Sequence, residues 1–205
     1  KKVKNLKHLV VNGSFVAVVA EEEVDVINVA SRVSKLIEWS STKTKIKDPL
    51  EFIKNTDAKI IESLNQGNVD IAEGDDFSVE ASRNFLCHAS IGTCCAIAEW
   101  SGEKLSVYTH SQAVFPMKRT LASIFEKNEQ EIDIIHYHGS GCYGHNGADD
   151  VALDAALIAN ELRGRPIRVV WTREDELCWS PLAPAMITTI NAKVQDSQIS
   201  SFDIN

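Results

Sequence analysis

The sequence predicts an α+β (mixed α/β) protein in which helices pack against mixed sheets, and three observations predict it. Short apolar or alternating runs, typical of strands, recur along the 205 residues. Segments whose apolar residues have helical spacing lie between these runs. No internal repeat or low-complexity tract interrupts this order, so a mixed arrangement of sheets and packed helices is favoured.

The first predicted element is a hairpin followed by a helix. Residues 6–11 and 15–20 are largely apolar, and Asn12-Gly13, a pair typical of tight hairpin turns, separates them. Residues 24–39 place apolar side chains at helical spacing and predict the helix. Residues 40–49 are polar and basic, which indicates a linker.

Short helices and a loop are predicted next. Pro49 suits the start of a helix over residues 50–55. A second helical piece is predicted over residues 58–64 and ends near Gly67. The acidic residues 68–76 indicate a surface loop.

Strands become denser from Phe77 onward. Apolar runs at 94–100 and 105–109 flank a turn at Gly102 and predict a second hairpin. The near-continuous apolar run at 167–172 predicts a strand in the centre of a sheet. The other predicted elements are helices over 115–125 and 148–162, the latter closed by Gly164, a strand over 132–138, and a final hairpin of residues 185–194 and 199–204.

Composition and charge exclude several functions. The net charge of −8 and the pI near 5.3 oppose nucleic-acid binding, which needs basic patches. No apolar run of about 18 residues is present, so no membrane span is expected. The five cysteines are odd in number and include the adjacent Cys94 and Cys95, which predicts reduced thiols in the core rather than a disulfide scaffold. Because the chain lacks an initial Met and stops inside a strand-like run, we expect it to be a fragment.

A glycine loop at residues 139–147 is the most informative segment. It follows the predicted strand, precedes the predicted helix, and contains four glycines together with Cys142, Tyr143 and His145, which we expect to be buried. Glycines let the backbone approach a ligand closely. The loop matches neither common phosphate-binding glycine motif, and Asp149 and Asp150 would repel a phosphate at the helix start. A tight turn without a ligand is the alternative.

A zinc site is a second interpretation of the same region. His136 and His138 share one face of a strand, and Cys142 and His145 follow them. These residue types suit zinc, although their spacing matches no common zinc module. The alternative function is therefore a noncatalytic zinc-binding or protein-interaction module centred on these four residues.

Two further polar residues lie at strand ends. Gln112 follows a predicted strand, where its amide can donate a hydrogen bond to a ligand atom. Arg173 precedes three acidic residues, and a local salt bridge is favoured there over an anion site.

Five segments carry a resemblance to a known family. They are residues 88–96 (HASIGTCCA), Thr109-His110-Ser111-Gln112, the loop 139–150, residues 165–171 (RPIRVVW) and Arg173-Glu174-Asp175-Glu176. Their order and spacing are similar to those of the molybdenum hydroxylases, the xanthine dehydrogenase and aldehyde oxidase family. The chain resembles the molybdopterin-binding large subunit of the isoquinoline 1-oxidoreductase and nicotinate dehydrogenase-like branch.

This resemblance implies a cofactor site and a reaction. It assigns cofactor-binding roles to Gln112, Gly141, Cys142, Tyr143 and Gly144, with no side chain as a metal ligand. It implies a molybdopterin-type molybdenum cofactor, including its cytosine dinucleotide form, and a partner subunit or domain with a 2Fe-2S cluster. The implied reaction hydroxylates an N-heteroaromatic or aldehyde carbon with oxygen derived from water.

The resemblance also implies what this chain lacks. Residues 1–45 resemble the tail of a preceding small α/β domain, residues 46–76 form a linker with short helices, and residues 77–205 resemble the first part of the molybdopterin-binding domain. The general-base glutamate of the family is expected beyond Asn205, so no catalytic residue is assigned here. We therefore expect the 205-residue chain alone to be inactive and largely free of cofactor. Ile91-Gly92-Thr93 replaces a family glutamate run, which disfavours purine-like substrates.

Overall fold

A computed structural model of the protein describes residues 6–40, 46–67, 77–144 and 150–205. The described residues form two compact units. Unit 1 contains Lys1–Thr42 and His88–Pro181, and unit 2 contains Lys43–Cys87 and Leu182–Asn205. Each unit is described by itself below.

Unit 1 begins with the predicted hairpin, which is confirmed. Strands β1 (His8–Asn12) and β2 (Phe15–Val19) pair antiparallel across the turn that contains Gly13, whose φ is +60°. Helix α1 (Glu23–Ser34) follows but ends before the predicted position 39. Val10 of the hairpin belongs to the hydrophobic core of the unit.

Unit 2 is built around a three-stranded antiparallel sheet. Helix α2 (Pro49–Lys54) has Pro49 at its start, and the Asp48 side chain accepts hydrogen bonds from two backbone amides of its first turn. Strand β3 (Phe77–Arg83) follows α2 in chain order and belongs to this sheet. The helix predicted over residues 58–64 is wrong, because these residues have no regular structure and Ile60, Ile61 and Leu64 are exposed. So short a helix needs a packing partner, and those side chains are largely in solvent.

The remaining elements of unit 1 surround a four-stranded sheet. In chain order they are β4 (Cys95–Ser101), β5 (Lys104–Thr109), α3 (Val114–Ile124), a 3₁₀ turn (Glu129–Glu131), β6 (Ile132–His136), α4 (Asp150–Glu161), β7 (Ile167–Val170) and α5 (Arg173–Trp179). The strand order is β6-β5-β4-β7, and only the β5–β6 pair is parallel. The predicted hairpin at β4–β5 and the predicted helices at α3 and α4 are confirmed.

The core of unit 1 lies between this sheet and its helices. Alternate residues Ala96, Ala98 and Trp100 of β4 are fully buried, as the two-residue period of a strand requires. Helix α4 presents a row of alanines to β4, which lets the helix approach the sheet closely. The Trp100 ring packs edge-on against Phe125 with the ring centres 5.2 Å apart.

The prediction that residues 167–172 form a central strand is wrong. In the described part of the chain, β7 pairs only with β4 and forms one edge of the sheet. Ile167 is buried, but Arg168 is exposed and Val170 is 47% exposed, so only one face of the strand is covered. A single buried face is ordinary for an edge strand, and the arginine within the apolar run indicates it.

Unit 2 is completed by β8 (Met186–Gln195) and β9 (Gln198–Ile204), which form the predicted final hairpin. The strand order is β3-β8-β9. None of the helices in the described residues is both long and apolar enough to span a membrane.

Candidate functional site

The candidate site lies at one edge of the four-stranded sheet. Because β5 and β6 are parallel and β4 runs antiparallel to both β5 and β7, the carboxyl ends of β5, β6 and β7 meet beside the start of β4. The loop that follows β6 is the glycine loop. In open α/β sheets, ligands commonly bind beyond the carboxyl ends of strands.

A cavity of about 500 Å³ opens at this edge. Its lining is mainly apolar and comes from the start of β4, the end of β5 and the chain that follows β6. It includes Cys95, Ile97, Tyr108, Tyr137 and Gly141. The tyrosine rings lie 6.0 Å apart, and Ile97 and Cys95 project from the face of β4 opposite the buried alanines. This volume lies within the range of natural cofactor and small-molecule sites.

Two sets of hydrogen bonds join the segment before β4 to the glycine loop. The Ser140 hydroxyl accepts from the Gly92 amide at 2.8 Å and donates to the Gly92 carbonyl at 2.9 Å. The Ser90 hydroxyl donates to the Gly141 carbonyl at 3.2 Å. The two segments are about 50 residues apart in sequence, so these bonds fix the start of the loop relative to the sheet edge.

Two glycines of the loop, Gly141 and Gly144, have the positive φ that their sequence predicts. Gly141 has φ +151° and Gly144 has φ +108°, a region that L side chains rarely adopt. A Cβ on Gly141 would lie 2.7 Å from the Tyr143 hydroxyl oxygen, so the tyrosine occupies the space beside this glycine. A Cβ on Gly144 would lie 3.6 Å from the His88 ring, an ordinary contact. The backbone at Gly144 is therefore the more open of the two.

The structure brings two of the predicted cofactor-binding residues into contact. The Cys142 thiol lies 3.7 Å from the Gln112 side-chain oxygen and donates to it. Gln112 is exposed, and no described residue accepts a hydrogen bond from its amide nitrogen. Cys142 and Tyr143 are also exposed, so the prediction of a buried cysteine and tyrosine in the loop is wrong. In the described part of the loop, Cys142 and Tyr143 lie beyond the sheet edge and no described element buries their side chains.

The local salt bridge predicted for Arg173 is confirmed, and its partner is Glu176. Glu176 is only 4% exposed, and one of its carboxylate oxygens accepts the Cys94 amide at 2.6 Å. Sequence reasoning missed this buried glutamate. The sequence feature that could have indicated the pair is the capping box of Thr172 and Asp175, which predicts the start of a helix there. In that helix Arg173 and Glu176, three residues apart, lie on one face.

The zinc interpretation gains no support from the described residues. His136 and His138 have ring centres 5.7 Å apart, but the His136 Nδ1 lies 2.9 Å from the Ser111 carbonyl and donates to it. No group of three or more histidine, cysteine or acidic side chains in the described ranges is arranged to hold a metal ion. The fourth predicted ligand, His145, lies outside the described residues.

None of the five cysteines, all of them within the described ranges, forms a disulfide, as predicted. Cys94 is buried, but Cys142 and Cys178 are exposed, so the expectation of core thiols holds for only part of the set. Cys95 lines the cavity, and partial burial raises the pKa of its thiol against the opposing effect of the Arg168 charge. This thiol is therefore less readily ionised than an exposed one.

Comparison with known proteins identifies the family. Residues 52–204 match the model of the molybdopterin cofactor-binding domain. The chain is 33% identical over 205 residues to one of the subunits of nicotinate dehydrogenase from Pseudomonas putida, a match that covers 95% of this chain and 17% of the relative. The chain thus spans about a sixth of the length of that protein.

Solved structures show the same fold at low identity. Quinoline 2-oxidoreductase from Pseudomonas putida 86 superposes with a TM-score of 0.68 at 16% identity, over 91% of this chain and 25% of that one. Reconstituted CO dehydrogenase from Oligotropha carboxidovorans gives 0.53 at 19% identity, over 64% and 17% of the two chains. The resemblance to the molybdenum hydroxylases that the motifs predict is confirmed, and the chain belongs to the molybdopterin cofactor-binding domain family.

Proposed function

We propose that this chain forms one side of the molybdopterin site in a longer subunit that hydroxylates a small N-heteroaromatic or aldehyde substrate. The observation that carries the proposal is the contact between Gln112 and Cys142, where the glycine loop meets the end of β5 beside the 500 Å³ cavity. Residues 30 positions apart, each assigned to the cofactor from its motif, thereby come together at one sheet edge. In this proposal residues 1–45 end a preceding domain, residues 46–76 are a linker, and residues 77–205 begin the domain that holds the group.

The residues present fit a molybdopterin group. Such a group is held by backbone amides and neutral donors, and the loop offers both. Gly144 is exposed at a φ of +108°, and the His88 ring lies no closer than an ordinary contact to the space beside it. The amide nitrogen of Gln112 has no acceptor among the described residues, while its oxygen is already used by Cys142. Because Gln112 is exposed, its amide is accessible to donate a hydrogen bond to an oxygen acceptor of such a group.

Each residue has a distinct role in this proposal. The amide of Gln112 would donate a hydrogen bond to an oxygen acceptor of the bound group, and the main-chain amides near Gly141, Cys142 and Gly144 would hold the rest of it. The exposed Tyr143 ring borders the space for the substrate. When bound, the molybdenum group supplies two-electron redox chemistry that adds an oxygen from water to a substrate carbon. A 2Fe-2S subunit or domain would be the partner that accepts the electrons.

A general base is the missing part of the site. No aspartate or glutamate lines the described cavity. The buried carboxylate of Glu176 is paired with Arg173 and with the Cys94 amide, so it is not placed to accept a substrate proton. We propose that a glutamate from another part of the longer subunit supplies the base.

Expression of the whole gene that encodes this sequence tests the proposal. We expect the purified product to contain molybdenum and a pterin, measured by metal analysis and by fluorescence of the oxidised pterin. Gln112→Ala should retain the pterin and reduce turnover of heteroaromatics or aldehydes by about 10- to 100-fold, because it removes a donor next to the metal. Gln66→Ala, in exposed chain of unit 2, is the control. A product with neither molybdenum nor pterin would refute the proposal.

A further inference from the structure

The Arg173–Glu176 pair reaches well beyond its own helix. Glu176 uses one carboxylate oxygen for Arg173 and the other for the amide of Cys94, 82 residues earlier in the chain. Arg173 uses its second terminal nitrogen for the carbonyl of Ser90 at 2.5 Å and for that of Ile91 at 3.3 Å. One ion pair therefore holds three main-chain groups of the segment that leads into β4.

The same segment holds the glycine loop. Ser90 donates from its side chain to Gly141, and its carbonyl is bound by Arg173. Gly92, between Ile91 and the Cys94 amide, exchanges two hydrogen bonds with Ser140. The main chain of residues 90–94 is thus bonded to α5 on one side and to the loop on the other.

We propose that Arg173 and Glu176 are positioning residues. They set the described part of the glycine loop, residues 139–144, in the conformation that binds the molybdopterin group. This inference rests on the function proposed above. Two observations favour it over a role in stabilising α5 alone. The capping box of Thr172 and Asp175 already secures the start of that helix. In addition, both charged groups direct hydrogen bonds to residues more than 80 positions away.

The physical basis is the cost of an unpaired buried charge. Glu176 is only 4% exposed, so removal of its charge leaves Arg173 without its carboxylate in a partly buried place. The guanidinium is then expected to turn toward solvent and release the Ser90 carbonyl. Ser90 also donates the hydrogen bond to Gly141, so movement of Ser90 weakens that bond to the loop. Gly92 lies two residues later, so its hydrogen bond with Ser140 is weakened as well.

Hydrogen exchange of individual amides in the purified 205-residue chain tests the inference. The informative amides are those of Gly92, bonded to Ser140, and Cys94, bonded to Glu176, with amides of β5 as the reference. Glu176→Gln keeps an oxygen for Cys94 but removes the partner charge of Arg173. We expect Gly92 exchange to become about tenfold faster or more relative to β5.

Three further variants make the result specific. Ser140→Ala should speed exchange at Gly92 and leave Cys94 protected, because it breaks only the loop side of the connection. Arg173→Lys, which cannot hold two carbonyls and a carboxylate as a fork, should resemble Glu176→Gln. Glu174→Gln is the matched control, since Glu174 is an exposed carboxylate on the same helix.

The outcomes separate this inference from the proposed function. Unchanged Gly92 exchange in both Glu176→Gln and Arg173→Lys would overturn the inference, whatever the cofactor content. Faster exchange at β5 as well would also overturn it, because the pair would then stabilise the whole unit rather than position the loop. In the whole gene product, Glu176→Gln should lower bound pterin at least several-fold while Glu174→Gln does not. Absence of pterin from the unmodified product would refute only the proposed function.

Discussion

Replacement of Gly92 by alanine tests how much the two hydrogen bonds between Gly92, which precedes β4, and Ser140 of the glycine loop stabilise the protein. The backbone of Gly92 lies outside the left-handed region, so alanine is compatible with its conformation. The added Cβ would lie 2.9 Å from the Ser140 hydroxyl oxygen and 3.1 Å from the Ser140 Cβ. Contacts this short require the serine to move away.

The expected energy follows from what the serine then loses. Two hydrogen bonds between exposed residues contribute about 1 to 2 kcal/mol together. Alanine in place of glycine restricts the unfolded chain and returns about 0.4 to 1 kcal/mol. We expect Gly92→Ala to lower the free energy of unfolding of unit 1 by about 1 kcal/mol. In a Ser140→Ala background the bonds and the contact with the hydroxyl are already absent, and only the 3.1 Å contact with the Cβ of residue 140 remains, so the same change should be close to neutral.

Urea denaturation followed by tryptophan fluorescence measures this difference in unit 1 alone. All four tryptophans, at positions 39, 100, 171 and 179, lie in the ranges of unit 1, so unfolding of unit 2 does not contribute directly to the signal. Gly102→Ala is the control, because its φ is +59° and its Cβ would meet nothing within 4 Å. Its cost comes from the backbone and should be the same with or without Ser140.

A double-mutant cycle decides whether Gly92 and Ser140 are energetically coupled. If Ser140 holds Gly92, the coupling free energy between Gly92→Ala and Ser140→Ala is about 1 to 2 kcal/mol. Equal effects of Gly92→Ala in both backgrounds would show that Ser140 does not hold Gly92. A coupling of the same size for Gly102→Ala would show that the cycle reports general weakening instead.

Three other predictions concern titration, exposure and backbone strain. Burial raises the pKa of Asp154 against the hydrogen bond donated by the Trp171 indole, so its carboxylate opposes folding increasingly as the pH rises above 3.8. Asp154→Asn, which keeps an oxygen acceptor, should therefore gain stability near pH 7 but not near pH 3, measured by denaturation at both pH values, and equal effects at both would contradict this. Iodoacetamide should label Cys142 well before the buried Cys94, as mass spectrometry of peptides would show; equal rates in the folded chain would be incompatible with the described burial. Gly144→Ala and Gly144→Val should both destabilise unit 1 by about 1 to 2 kcal/mol, since the cost is the φ of +108° rather than a clash, and a much larger cost for valine alone would show that a clash dominates.

Local sequence signals predict the hairpins and the longer helices well. Asn12-Gly13 fixes a turn by backbone preference alone, and the β1–β2 pairing around it follows. The row of apolar residues in α4 has a clear helical period, and the helix forms where that period predicts it. These elements depend on information within a few residues, which the sequence contains directly.

The errors arise where tertiary packing decides. Residues 58–64 have helical spacing, but Ile60 and Ile61 are exposed and provide no packing to stabilise so short a helix. The apolar run at β7 is compatible with either a central or an edge strand, and the strand order is set by pairing between residues about 70 positions apart. Spacing within a segment carries no information on such pairing.

The site shows the same division. Motif resemblance singles out Gln112 and Cys142 separately, and the fold brings them within 3.7 Å. The burial of Glu176 could not be predicted, because a glutamate among three acidic residues at a helix start is most often solvated. Its burial becomes necessary only when β4 and α5 are packed and the Cys94 amide needs an acceptor.

The connections of the site are made largely through main-chain groups, and this has a consequence for how it tolerates change. The Gly92, Gly141, Ser90 and Cys94 backbones supply most of the groups that hold the loop, and each is fixed by its position in the fold. Substitutions of the exposed loop side chains other than Ser140, whose hydroxyl makes both bonds to Gly92, should be tolerated because they leave these groups in place. Substitutions that add a Cβ at Gly92, or that unpair Arg173, should displace the loop although neither residue belongs to it. A zinc module would show the opposite pattern, since it depends on a few ligating side chains and tolerates changes in the main chain between them.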